Sequence, residues 1–177
     1  NGVSEAWVMA PMVATVDEAY EFAQLCRARD LKPGIMVEVP SVAMLADQFL
    51  AEVDFFSIGT NDLTQYTMAA DRMSSHLAML TDPWQPAVLR LIQLTAAAGQ
   101  RADKPVGVCG EAAADPLLAC VLIGLGITSL SMATNAIPAV GVQLGKVPLQ
   151  QCQEAAIQVA ASRNSRDAKE LAAKLLG

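Results

Sequence analysis

Five residues have the types and spacing to do chemistry together: Glu38, Asn61, Asp62, Arg72 and Cys109. Glu38 follows the apolar run Ile35-Met36-Val37, and Asp62 follows Phe55-Phe56-Ser57-Ile58 after a break at Gly59. Two carboxylates ending successive strands repel each other unless a cation lies between them. Mg²⁺ suits that place, because it takes one or two carboxylates and leaves positions for water and substrate oxygens. Asn61 can donate its amide to a phosphate or carboxylate oxygen, and Arg72 can hold a phosphate through paired hydrogen bonds. Cys109, between Val108 and Gly110 at a strand end, can act as an acid or a nucleophile. Each residue also has a plainer reading. The carboxylates can be solvated strand ends, Asn61 and Asp62 helix caps, Arg72 a surface cation and Cys109 a small buried apolar residue.

The elements that must position these groups are short apolar strands alternating with helices. Strands are expected at Ala6–Met9, Ile35–Val37, Phe55–Ile58 and Val106–Val108, with a weaker fifth at Ser129–Met132. Pro33-Gly34 reads as a turn. Helices are expected from a Thr15 cap to about Arg29, from a Ser41 cap over Val42–Ala51, over Leu63–Ala70 behind caps at 60–62, and over Pro86–Arg101. Leu117–Ile123, a helix capped by Asn135, Leu149–Ala161 and Ser165–Leu176 follow. Strands apolar on both faces with helices between them imply a parallel sheet covered by helices. No dinucleotide or Walker glycine pattern follows a strand. Polar residues instead gather after the carboxyl ends of three different strands, the habit of a (β/α) barrel. About five parallel strands are countable, so the expected fold is α/β, the C-terminal part of a (β/α)8 (TIM) barrel. The expected division is a partial barrel over 1–145 carrying the site, with C-terminal helices over 146–177 packed on it.

Composition limits the function classes. The 177 residues carry a net charge of −6 and are 53% hydrophobic, which suits one packed domain. No basic run is present, which argues against nucleic acid or an anionic membrane as the main partner. The longest apolar run, near Leu117–Leu125, is too short to span a bilayer, and the first residues do not read as a signal peptide. Cys26, Cys109, Cys120 and Cys152 are widely spaced and read as free thiols in a cytoplasmic protein. His76, the single histidine, sits in an irregular loop without a sequence partner. The absent initiator Met suggests a piece of something longer.

Four blocks in order carry a resemblance. Asp54–Arg72 resembles the metal-binding signature of phosphoenolpyruvate-utilising enzymes. Gly34–Pro40, Val108–Glu111 and Asp82–Ile92 resemble three further blocks of that family. The match is nearest to the phosphoenolpyruvate–protein phosphotransferases, Enzyme I of the bacterial sugar phosphotransferase system. The resemblance implies Glu38 and Asp62 as Mg²⁺ ligands, and Asn61, Asp62 and Arg72 around phosphoenolpyruvate. It implies Cys109 as the acid that protonates the pyruvate enolate at carbon. The implied partners are phosphoenolpyruvate and pyruvate, a histidine phosphocarrier protein reached through another domain, and a second copy in a homodimer. This chain has no phosphohistidine domain and lacks the early barrel strands, so alone it is expected to be inactive. Three rivals share parts of the pattern. They are the barrel of pyruvate phosphate dikinase or phosphoenolpyruvate synthase, a metal-dependent aldolase or lyase passing through a pyruvate enolate, and a non-catalytic phosphoenolpyruvate sensor or dimerisation module.

Overall fold

The computed structural model describes residues 6–177 except Arg72, so that site candidate lies outside the described residues. Five strands form one sheet: β1 (Ala6–Ala10), β2 (Leu31–Val37), β3 (Phe55–Gly59), β4 (Val106–Cys109) and β5 (Ser129–Ser131). All neighbours are parallel and the order is β1-β2-β3-β4-β5. Spatial order equal to chain order is how a barrel wall is built, whereas a doubly wound sheet reverses direction at a switch point. The five strands make up part of the (β/α) barrel that the sequence led us to expect.

The helices are α1 (Val16–Arg27), α2 (Pro40–Met44), α3 (Ala46–Glu52), α4 (Thr60–Met68), α5 (Pro86–Ala102), α6 (Glu111–Ala114) and α7 (Pro116–Gly124). Then follow α8 (Ile137–Lys146), α9 (Leu149–Ala160) and α10 (Ser165–Leu176). Side chains alternate between the two faces of a strand. Ile35, Val37, Phe56, Ile58, Val106 and Val108 therefore share one face, and all are buried in one core with Ala19, Phe49, Leu89 and Ile92 of the helices. On the opposite face Trp7 and Met9 of β1 remain half-exposed, and Cys109 is partly exposed. Phe55 covers Gly34, where a Cβ would collide with its ring, and meets Trp7 in a tilted pair with centroids 4.8 Å apart.

Several local expectations are corrected. Pro33-Gly34 is no turn but lies inside β2, which begins at Leu31. Pairing with β3 starts only at Gly34, so the missing Pro33 N–H is not required there, while the Pro33 carbonyl accepts the Asp54 N–H. The expected helix over Val42–Ala51 is two helices broken at Leu45, and Ser41 does not cap it but lies within α2. Helix α4 starts at Thr60 behind Gly59, without a side-chain cap from Asn61 or Asp62. Asn135 sits in a 3-10 turn, and α8 begins at Ile137 with no side-chain cap. Thr15 caps α1 through a complete capping box with Glu18, as its sequence suggested.

Helices α9 and α10 bury Cys152, Ala156, Val159, Ala168, Ala172 and Leu176 in the same core as Cys120 and Val121 of α7. All four cysteines are free. Burial pushes the Cys120 thiol up to about 11, so it stays protonated and inert at neutral pH.

Asp115 ties the segment before α5 to the start of α7. Its Oδ1 accepts the Leu117 and Leu118 N–H groups at 3.0 and 3.1 Å, and its Oδ2 accepts Trp84 Nε1–H at 3.0 Å. Lys169 of α10 pairs with Asp82 in that segment at 2.6 Å. Asp115→Ala removes the cap and leaves the buried indole N–H unpaired, so a loss of about 2–3 kcal/mol is expected in urea unfolding. A loss below about 0.5 kcal/mol, the range of an ordinary surface change, would show that the tie is immaterial.

Candidate active site

The site lies at the carboxyl ends of β2, β3 and β4. Glu38 is the first residue beyond β2, and strand alternation sends it to the same side as Met36, away from the core helices. Its side chain is only 6% exposed. Oε2 accepts the Met12 N–H at 2.8 Å. The other edge rests on Gly59: a Cβ there would lie 2.7 Å from Glu38 Cγ and 2.9 Å from Oε1. Gly59 is therefore the seat of this carboxylate, which only a residue without a side chain can provide.

Register continues the row. Val37 pairs with Ile58 and Gly59 pairs with Cys109, so Glu38, Gly59 and Cys109 run side by side across three strands. The Cys109 thiol donates to the Ile58 carbonyl at 3.5 Å. Gly110 then turns the chain with φ of 92°, and its N–H donates to the Ser131 carbonyl at 3.0 Å. That bond anchors the turn after Cys109 to β5.

Asn61 and Asp62 occupy the first turn of α4, directly beyond Gly59. Both are half-buried, and neither is spent on capping the helix. The plainer reading of these residues as caps is thereby removed. The positive end of the α4 dipole favours a carboxylate or a bound anion here. Asn61, Met73, Thr81 and Glu111 line a cleft of about 240 Å³ beside this turn. Thr60, buried at 1% exposure, has no partner for its hydroxyl among the described residues. His76 is exposed in the 3-10 turn Ser75–Leu77 and takes no part in this row.

Among the described residues, no lysine, arginine or histidine pairs with Glu38. A buried carboxylate without a cation is costly, so this position fits a bound metal ion. No group of three or more Cys, His, Asp or Glu side chains gathers among the described residues. Carboxylate oxygens with positions left to water and substrate oxygens would suit Mg²⁺ better than zinc.

Sequence reasoning put forward Glu38, Asn61, Asp62, Arg72 and Cys109; the structure places Glu38 and Cys109 in one row with Asn61 and Asp62 at its edge, and Arg72 lies outside the described residues. It missed the Met12 amide, the Gly59 seat and the place of Thr81 and Glu111 in the cleft. The Gly59 break was visible in the sequence, but its contact with Glu38 depends on strand register.

Among solved structures, an aldolase/citrate lyase family protein from Burkholderia cenocepacia superposes with TM-score 0.58 at 16% identity, covering 79% of this chain and 63% of that one. An aldolase from Desulfitobacterium hafniense gives TM-score 0.54 at 16% identity over 80% of this chain and 64% of its own. At such identity the likeness is one of fold alone. Phosphoenolpyruvate-protein phosphotransferase of Streptomyces coelicolor is 52% identical over 171 residues, which are 96% of this chain and 31% of the relative. The protein of the same name from Bacillus subtilis is 45% identical over 82% of this chain and 28% of its own length. The chain thus spans about a third or less of these relatives. The pattern of the family described as "PEP-utilising enzyme, PEP-binding domain" matches residues 1–148, and this chain belongs to that family.

Proposed function

We propose that this chain is the phosphoenolpyruvate-binding part of a phosphoenolpyruvate–protein phosphotransferase. One observation carries the reading: a buried Glu38 with no cationic partner among the described residues, seated on Gly59 in line with the Cys109 thiol. Glu38 and Asp62 hold Mg²⁺, whose charge, when it is bound, offsets the negative charge of the departing phosphoryl group. Asn61, at the α4 N-terminus, orients phosphate oxygens, and Arg72 adds a cation to the same group. Cys109 delivers its thiol proton to the terminal carbon of the enolate, which turns it into pyruvate. The same reading takes the phosphoryl acceptor to be a histidine on a mobile domain, and the next acceptor to be a histidine phosphocarrier protein. It also makes the enzyme a cytoplasmic homodimer; no described helix is long and apolar enough to cross a membrane. The relatives' names favour this reading over a dikinase, a synthase or a sensor. The lyase-like structures speak only for the fold.

Calorimetry on this chain tests the site. Weak Mg²⁺ binding that Glu38→Gln abolishes is expected, without phosphorylation of a carrier protein by the chain alone. Tight, Mg²⁺-dependent binding of phosphoenolpyruvate would favour the sensor, and Mg²⁺ binding unaffected by Glu38→Gln would remove Glu38 from the site.

A further inference from the structure

The loop between β1 and α1 does more than connect them. Met12 has a φ of 56°, the left-handed region that a non-glycine residue enters only at a cost. That conformation accompanies the direct hydrogen bond from the Met12 N–H to Glu38 Oε2 at 2.8 Å. The Met12 side chain is 45% exposed, so its packing does not account for the strained backbone. The loop is fastened on both sides of that bond. Ser41 Oγ of α2, just beyond Glu38, donates to the Ala14 carbonyl at 2.8 Å. Glu18 Oε2 accepts both the Ala14 and the Thr15 N–H groups at 2.9 Å. Residues 12 to 15 thus have three of their four N–H groups bound to carboxylates.

We infer that Met12 is a positioning residue: its left-handed backbone holds Glu38 Oε2, which fixes the rotation of the carboxylate for metal binding, and Ser41 locks the loop in that geometry. The inference rests on the reading of Glu38 as a metal ligand. An amide bound to one carboxylate oxygen fixes the carboxyl rotation and so the directions of its remaining lone pairs. Mg²⁺ demands near-ideal octahedral geometry and tolerates a wandering ligand poorly. Outer hydrogen bonds to metal ligands commonly carry tenfold or more in metal affinity.

Two substitutions at Met12 separate backbone from side chain. Met12→Gly and Met12→Val both remove the methionine, but glycine accepts a positive φ and β-branched valine resists it. In the full-length phosphotransferase, the Mg²⁺ requirement is measured twice, as a dissociation constant by calorimetry without substrate and as the concentration giving half-maximal turnover at saturating phosphoenolpyruvate. Met12→Val should raise it by about tenfold, with the lost rate recovered at high Mg²⁺, and Met12→Gly should stay within about twofold of the parent. Ser41→Ala should shift it in the same direction, and Ser41→Thr should restore it. Equal Mg²⁺ dependence for Met12→Val and Met12→Gly overturns the inference, as does a loss in Met12→Val that high Mg²⁺ does not recover. Glu38→Gln is the separate control. If that variant keeps the parent's Mg²⁺ dependence, the metal-ligand reading itself has failed, whatever Met12 does.

Discussion

Glu38→Gln in the full-length protein is expected to reduce phosphoenolpyruvate-dependent phosphotransfer by at least about a hundredfold, more than the loss of an outer hydrogen bond would cause. Glutamine has nearly the same shape as glutamate. Its side-chain oxygen can still accept the Met12 N–H, and its stem still rests on Gly59. Only the charge is removed, so a large kinetic loss reports on the cation rather than on packing. The metal-free protein should move the other way. Glu38 is 6% exposed and has no basic partner among the described residues, so neutralising it removes a desolvation cost. An increase of about 1–3 kcal/mol in unfolding free energy with chelator present is expected, together with the loss of any stabilisation by added Mg²⁺. Residues kept for function commonly show this opposition between stability and activity. A variant that is both less stable and fully active would mean that Glu38 is structural, and that the Met12 bond serves the fold alone.

How much of this was legible in the sequence follows from what each feature depends on. Barrel class was readable because it needs only the alternation of short apolar strands with helices and the place where polar residues gather. Glu38, Asn61, Asp62 and Cys109 could be put forward as candidates because chemistry restricts residue type at strand ends. Features set by register were not. Nothing in the order of residues says that Gly59 lies beneath Glu38 and beside Cys109, since that requires the β2–β3 and β3–β4 pairings. Local propensity also misled. Ser41 has the type of a cap, yet its hydroxyl spans to Ala14 because the two loops meet in space. Asn61 and Asp62 have the type of caps too, but α4 starts at Thr60, three residues before the expected Leu63, so both lie inside its first turn. Pro33-Gly34 has turn chemistry and still continues a strand, since neither of its special properties is challenged at the entry to β2. In each case tertiary contact outweighed a local preference worth about 1 kcal/mol.

The second large effect is expected at Cys109. Cys109→Ala should slow pyruvate formation from phosphoenolpyruvate by about 10²–10⁴-fold, the usual contribution of a positioned general acid. It should leave Mg²⁺ binding intact, because the thiol's recorded hydrogen bond is to the Ile58 carbonyl and not to a carboxylate. Structure makes the packing explanation weak beforehand. Cys109 ends β4 on the face away from the core helices and is partly exposed, unlike Cys26, Cys120 and Cys152, which are buried. Truncating it therefore creates no closed cavity, and its cost in unfolding should stay below about 1 kcal/mol. A proton delivered by one fixed thiol reaches one face of the enolate carbon, whereas protonation by solvent is not confined to a face. Phosphoenolpyruvate labelled stereospecifically with deuterium at its methylene carbon, turned over in tritiated water, separates the two. The parent should yield pyruvate with a single methyl configuration, and Cys109→Ala should yield a mixture at a reduced rate. Cys109→Ser, with a hydroxyl far less acidic than the thiol, should keep the configuration while remaining slow. Unchanged rate and configuration in Cys109→Ala would assign the proton to another group, and Glu111, two residues on and lining the Asn61 cleft, would be the next to replace.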